Sequence, residues 1–314
     1  MTRPHGVPRP LGVAWIHGAA GEPAIQVHWY DEATVILRQA KSLNYEAPFL
    51  FLLFGHERAL LLDTGAVADP DRFPLRATVD ELVGRWLDKH PHAGYGLVVA
   101  HSHGHGDHVA ADAQFADRPD TVVVGRGLEE VQAFFGLDER TVDFDLGGRR
   151  LEIIPSPGHH RAAVTIYDPG TGFLLTGDTV LPGRLYIEDR AAFVSTMDRL
   201  VEFAADRPVT HVLGCHVEMT TRPGRDYPLG ATYQPNERPL ELTPDHLTAI
   251  RDATRAATGR RRVRRFADFI LHIEPRRREA RMLMIRGRVH QTLARLLRVA
   301  GRGGGAPRRR ATRR

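Results

Sequence analysis

Cysteine is almost absent from this chain: Cys215 stands alone among 314 residues, so no intrachain disulfide can form and the fold must be held by its core. Long apolar runs are missing as well. The longest candidate, Ala47-Pro48-Phe49-Leu50-Phe51-Leu52-Leu53-Phe54, contains a proline and stops at Gly55-His56, well short of the roughly 18 apolar residues of a membrane span. The N-terminus offers no export segment, because Met1 to Pro10 is Pro-rich and Leu11-Gly12-Val13-Ala14-Trp15-Ile16 is short and followed by His17-Gly18. The expectation is a soluble cytoplasmic protein with no membrane partner. No internal repeat is visible beyond loosely similar halves. No flavodoxin-like segment or cysteine cluster accompanies it either, so redox chemistry with a flavin partner has no support. With 42% hydrophobic residues, the chain has ample material for a core.

Histidine is concentrated instead. His101-Ser102-His103-Gly104-His105-Gly106-Asp107-His108 places four imidazoles and a carboxylate in eight residues, directly after the apolar run Gly96-Leu97-Val98-Val99-Ala100. Imidazole nitrogens and carboxylate oxygens are borderline ligands that suit zinc, iron or manganese, and two glycines allow the backbone to turn so that alternate side chains converge. The same strand-then-loop pattern recurs at Leu151 to Ile154 before Pro157-Gly158-His159-His160, at Gly172 to Thr176 before Gly177-Asp178-Thr179, and at Val209 to Gly214 before Cys215-His216. Each would deliver a ligand from the carboxyl end of a strand to one shared point. Any one of them alone would be weak.

Together, in this order and spacing, they resemble the metallo-β-lactamase superfamily of metallohydrolases. The His-x-His-x-Asp-His signature falls on His103 to His108, the Pro-Gly-His on Pro157 to His159, the Gly-Asp-Thr on Gly177 to Thr179 and the last histidine on His216, a resemblance over roughly residues 25–220. It implies that His103, His105 and His159 hold one metal, that Asp107, His108 and His216 hold a second, and that Asp178 bridges them. It further implies that Asp63, in the run Leu60-Leu61-Leu62-Asp63-Thr64-Gly65, supports a ligand histidine from behind. The cofactors implied are two divalent metal ions, zinc first, with iron or manganese as alternatives. True zinc β-lactamases use a cysteine where this chain has Asp178, so the likeness is to glyoxalase II and the family lactonases. His160 stands where many members have threonine, and His101 matches no family role.

The implied chemistry is hydrolysis of an acyl bond, thioester or lactone, by a hydroxide shared between two metals, with Asp107 orienting it and passing a proton to the leaving group. The partner is then a small acyl substrate. Arg184 and Tyr186, in the segment Leu181 to Glu188 after the bridging aspartate, are expected to overhang the cleft, where Arg184 would pair with a carboxylate and Tyr186 would donate to a carbonyl. Residues 217–242, with Glu218, Arg222, Arg225, Asp226, Tyr227 and Tyr233, form a long stretch expected to fold as a wall of the site with the two tyrosines as anchors.

Short apolar runs predict strands at Phe49 to Phe54 and Ala59 to Leu62, paired through the turn Gly55-His56-Glu57-Arg58, and at Thr121 to Val124. Helical spacing predicts helices over residues 79–87, 128–135 and 189–205. This order suits a four-layer αββα sandwich, the α/β class of the family, with a basic C-terminal extension. The expected organisation is a Pro-rich segment over residues 1–24, the metallohydrolase domain over 25–250, a basic helical extension over 251–300 and a disordered Arg-rich tail over 301–314. Residues 251–314 carry 21 arginines and no lysine against two aspartates and two glutamates, a net +17, whereas residues 1–250 carry 22 basic and 34 acidic groups, a net −12. A metal-dependent nuclease or phosphodiesterase is therefore the alternative reading. It is disfavoured because no RNA-binding motif or aromatic interleaving lies near those arginines.

Overall fold

The computed structural model describes residues 10–257 and 262–275 and, further on, residues 281–283, 285–287, 289 and 292. One six-stranded sheet contains, in spatial order, β1 (Ile25–Asp31), β2 (Thr34–Gln39), β3 (Phe49–Phe54), β4 (Arg58–Leu62), β5 (Gly96–Ala100) and β6 (Thr121–Val123). The second is built from β7 (Val142–Asp145), β8 (Arg150–Pro155), β9 (Val164–Asp168), β10 (Phe173–Gly177), β12 (His211–Gly214) and β13 (Glu241–Leu242), ordered β13-β12-β10-β9-β8-β7. A third, small sheet joins β11 (Arg184–Ile187) to β15 (Ile270–Ile273) and β14 (Val263–Arg265).

Why β3 has no polar face follows from its position. Phe49, Phe51 and Leu53 point into the core between the two large sheets, with Ile36, Leu60, Leu151, Ile166 and Leu175. Leu50, Leu52 and Phe54 point the other way, against Val79, Leu82, Val83 and Trp86 of helix α1 (Leu75–Leu87). A strand covered on both sides reads as a continuous apolar run rather than an alternation. The second sheet repeats this on its outer face, where Ile154, Tyr167, Leu174 and Val212 meet Phe193, Met197 and Leu200 of α4 (Arg190–Asp206) and Leu247 and Ile250 of α5 (Pro244–Arg255). Two shorter helices are α2 (Gly106–Val109) and α3 (Leu128–Phe135). Helices outside two facing sheets make the four-layer αββα sandwich of the metallo-β-lactamase fold. Each large apolar side chain buried in the three cores between these layers contributes roughly 1.5–3 kcal/mol.

Topology sets the position of the site. β4 and β5 are parallel, and β10 is parallel to β12. β8 and β10 are both antiparallel to β9, so β8 runs in the direction of β10. The carboxyl ends of β4 and β5 in one sheet, and of β8, β10 and β12 in the other, therefore open on the same edge of the sandwich.

The C-terminal organisation differs from the sequence reading. The boundary expected at residue 250 falls inside α5, and residues 263–265 and 270–273 are strands where a helical extension was expected. β15 pairs in parallel with β11, Tyr186 opposite His272, and Ile270, Leu271 and Ile273 are buried there. An available strand edge at β11 and three apolar side chains decide the matter against the surrounding arginines. Residues 301–314 and most of residues 276–300 of the expected helical extension lie outside the described residues. The described part of the N-terminal segment packs on the body through Leu11, whose side chain joins the inter-sheet core, and Trp15, edge-on to Phe49 at 4.9 Å.

Candidate metal centre

The loop after β5 returns quickly into α2, for which His105 is the N-cap with extended backbone, φ −72° and ψ 153°. His103, His105 and His108 thereby turn inward together with His159, from the loop after β8. Three ring nitrogens meet: His103 Nε2 lies 2.9 Å from His105 Nδ1 and 3.3 Å from His159 Nε2, which is 3.1 Å from His105 Nδ1. A second group stands beside it. His216 Nε2 is 3.4 Å from His108 Nε2, 3.3 Å from Asp107 Oδ2 and 3.4 Å from Asp178 Oδ1. Within each group the ligand-type atoms lie within 4.8 Å of one another.

Asp178 touches both groups with different oxygens. Its Oδ1 is 3.6 Å from His108 Nε2, and its Oδ2 is 3.8 Å from His159 Nε2. Oδ1 is buried and has no hydrogen-bond partner among the described residues. Burying an ionised oxygen without a donor is costly unless a cation satisfies it, and the donor set of imidazoles and carboxylates is that of zinc and its neighbours. The residues fit two divalent ions. Gly177 sets the approach of Asp178: its φ is +53°, and a Cβ there would lie 2.6 Å from Ser102 Cβ.

Three of the histidines are held from behind through their far nitrogens. His159 Nδ1 donates to the Tyr186 carbonyl at 2.7 Å and His216 Nδ1 to the Glu46 carbonyl at 3.0 Å, which turns their Nε2 atoms toward the centre. His108 Nδ1 donates to Asp63 Oδ2 at 2.9 Å. Asp63, fully buried, also accepts from Ser102 N at 2.7 Å, Ser102 Oγ at 2.9 Å and Cys215 Sγ at 3.2 Å. Cys215 is thus core with one polar duty, and burial, reinforced by Asp63, pushes its thiol far above the usual range. The backbone acceptors at Tyr186 and Glu46 carry no residue-type signal and could not be read from the sequence.

The electrostatics of the two groups differ. Burial, and then His108, press His103 well below the usual imidazole range, and burial with His159 lowers His105. Burial works against charge at His108 and His216 too, but the carboxylates win: Asp63 and Asp178 lift His108 well up, and Asp178 with Asp107 lifts His216 to about 9. Despite burial, Asp107 is held far below the ordinary carboxylate range by hydrogen bonding from His108 and His216 and then by their charge, and Asp178 chiefly by the charge of His216 and His108. His103 and His105 thus favour the neutral form, whereas the second group draws positive charge.

Among the expected substrate contacts, Arg184 needs correction. Its guanidinium is buried and donates to Glu218 and to the Tyr227 carbonyl, with Nε 3.0 Å from Asp226 Oδ2, while its backbone N–H reaches Glu218 Oε2 at 2.6 Å. A buried guanidinium persists only when its donors are paired, so Arg184 ties β11 to residues 218–227 and has no free fork for a substrate carboxylate. The Tyr227 hydroxyl accepts from Asn236 N at 2.8 Å, an intra-wall contact. Tyr233 is 47% exposed, its ring 5.6 Å from that of His17, and is no inward anchor. Tyr186 is half-buried, its ring 5.0 Å from His272, and burial, then the Glu218 charge, raises its phenol. Tyr45 and Glu46, missed in the sequence, flank the second group. Burial raises the Glu46 carboxyl, with His216 opposing and Asp107 adding. His160 stays outside the first group: its Nδ1 accepts from Ala162 N at 3.2 Å, and its ring lies 5.1 Å from that of His105.

The wall itself is folded, pinned by Glu237, which takes both guanidinium nitrogens of Arg38 at 2.6 and 2.8 Å and lies 3.5 Å from Lys41 Nζ. Burial lowers Lys41 to about 8 against the pull of Glu237. Between about pH 8 and the unfolded value near 10.4 the unfolded chain binds more protons at this site, so stability should rise with pH across that window, by on the order of 2 kcal/mol. Denaturant midpoints at pH 7.5 and 9.5 test this, and Lys41→Met should flatten the rise. An unchanged slope in that variant would assign the effect elsewhere.

Residues 46–216 match the family model of the metallo-beta-lactamase superfamily. Curated relatives include the hydroxyacylglutathione hydrolase of Synechococcus sp. (strain JA-3-3Ab), 32% identical over 163 residues that cover 48% of this chain and 58% of that protein. The hydroxyacylglutathione hydrolase of Rhizobium meliloti (strain 1021) is 29% identical over 154 residues, 46% of this chain and 56% of the relative. The chain thus spans little more than half the length of these relatives. A solved metallo-beta-lactamase from Pontibacter korlensis aligns with a TM-score of 0.47 at 17% identity, over 74% of this chain and 100% of that one.

Proposed function

We propose that this chain, which belongs to the metallo-beta-lactamase superfamily, is a dinuclear metal-dependent hydrolase of acyl bonds, thioester or lactone. The observation that carries the dinuclear reading is Asp178, whose two oxygens face two separate ligand groups. His103, His105 and His159 would hold one divalent ion and Asp107, His108 and His216 the other, with zinc the first choice from the donor set. Bound there, two such ions supply Lewis acidity and an acidified water at neutral pH.

The remaining work belongs to the side chains. The Asp107 carboxylate is more open than that of Asp178, 24% against 14% exposed, so it is the oxygen donor that reaches the cleft. We assign it the orientation of the attacking water and the transfer of its proton to the leaving group. Asp63 acts through His108, keeping Nδ1 protonated and Nε2 aimed at the centre. Thioesters and lactones suit this arrangement because their carbonyls are electrophilic and need no strong acid at the leaving group. The hydroxyacylglutathione hydrolases among the relatives support a thioester. Against a phosphodiester, Arg184 is committed internally, Glu46 stands beside the second group, and residues 1–250 carry a net −12 that repels a polyanion.

A substrate panel decides between these. Metal-loaded protein should hydrolyse a thioester or a lactone faster than a phosphodiester, RNA, DNA or a β-lactam. Deleting residues 301–314 should leave that acyl activity nearly unchanged. Metal-dependent RNA or DNA cleavage faster than every acyl substrate, lost in His103→Ala and steeply weakened by salt or by the tail deletion, would overturn the assignment.

A further inference from the structure

His101 matched no role in the sequence, yet it is buried, 4% exposed, and so is Asp112, three residues beyond α2 and 9% exposed. Asp112 Oδ1 is 2.9 Å from His101 Nε2 and accepts from Thr64 Oγ1 at 2.7 Å. Asp112 Oδ2 lies 3.2 Å from Arg126 Nε. His101 Nδ1 is buried with no hydrogen-bond partner among the described residues, so the one polar contact of that ring is Asp112.

What each of these three partners holds is the metal-binding loop. His101 is the entry, two residues before His103. Thr64 is at the exit: its backbone N–H donates to the carbonyl of His108 at 2.7 Å. Arg126 borders the middle, because a Cβ at Gly104 would lie 3.2 Å from its carbonyl oxygen. Thr64 is also the neighbour of Asp63, which orients His108 itself. One carboxylate therefore brackets residues 103–108 at both ends and at the centre.

We propose that Asp112 is a positioning residue that fixes the geometry of the metal-binding loop through His101, Thr64 and Arg126. It touches no ligand nitrogen and is not catalytic. Its effect is to hold three imidazoles and Asp107 in register before an ion arrives, so that binding does not have to order the loop. The inference rests on the metal-binding reading of the loop and on no particular substrate.

The test is Zn2+ affinity by competition with a chromophoric chelator, alongside circular dichroism and thermal melting of the metal-stripped proteins. Asp112→Ala should weaken Zn2+ binding about tenfold or more, the range typical of residues that orient ligands, with Asp112→Asn between it and wild type. Thr64→Val added to Asp112→Ala should cost little beyond Asp112→Ala alone, since both act through one contact. Arg126→Gln alters a side chain that is 54% exposed and should weaken binding severalfold without unfolding, which keeps the idea testable should Asp112→Ala fail to fold. Zn2+ affinities of folded Asp112→Ala or Arg126→Gln within twofold of wild type would overturn the proposal, as would full additivity with Thr64→Val. A wild type that takes up no Zn2+ would instead overturn the reading of the site.

Discussion

Asp107→Asn protein is expected to turn over its best acyl substrate at roughly one hundredth of the wild-type rate or less, the scale of losing a positioned acid or base. The reasoning is local. Asp107 begins α2 beside the ligands, its Oδ2 3.3 Å from His216 Nε2 and 3.5 Å from His108 Nε2, and of the two central carboxylates it is the more exposed. Asparagine keeps the shape and one acceptor oxygen but cannot take a proton. Metal content should fall less than turnover, because His108, His216 and Asp178 remain. Measuring kcat together with bound metal separates the two effects, and equal turnover in wild type and variant would reject the assigned role.

Asp178→Ala should be the more severe lesion for the centre as a whole. Among the described residues, no other carboxylate offers one oxygen to each group. Its loss would remove the proposed shared ligand and part of the negative charge that raises His108 and His216, leaving Asp63 and Asp107 to act alone. The variant should retain at most one ion per chain, with the weaker ion bound at least about 100-fold less tightly, beyond the 10–100-fold typical of outer partners. Acyl hydrolysis should fall with it. His103→Ala, lacking a nitrogen of the other group, should also lose metal, and retention of two ions by Asp178→Ala would refute a bridging role.

Much of this centre was legible because its residues follow apolar strands in short loops rich in glycine. The ligand residues named from the chain alone, His103, His105, Asp107, His108, His159, Asp178 and His216, fall into the two groups the structure brings together. Strands β3 and β4 were legible as continuous apolar runs, and helices α1, α3 and α4 by apolar side chains at helical spacing. β2 was not. Its Thr-Val-Ile-Leu-Arg-Gln run buries Arg38 and Gln39, and the partner that permits this, Glu237, lies 199 residues away. Long-range pairing of that kind leaves no local pattern.

Arg184 misled for a related reason. An arginine in a loop after a metal ligand reads as a substrate contact until Glu218 and Asp226 are seen to enclose it. The strands β14 and β15 were hidden by composition, because the surrounding arginines mask the short apolar run Ile270-Leu271-His272-Ile273 that completes β11. Backbone carbonyls at Glu46 and Tyr186, which orient His216 and His159, are available in every residue and become meaningful only in three dimensions.

Counting metal in the wild-type protein tests the central claim most directly. Purified after growth in metal-replete medium, or stripped and then titrated with Zn2+, the chain should bind close to two ions, the second lost in Asp178→Ala. No bound metal and no uptake on titration, or saturation at a single ion that survives removal of Asp178, would contradict the account.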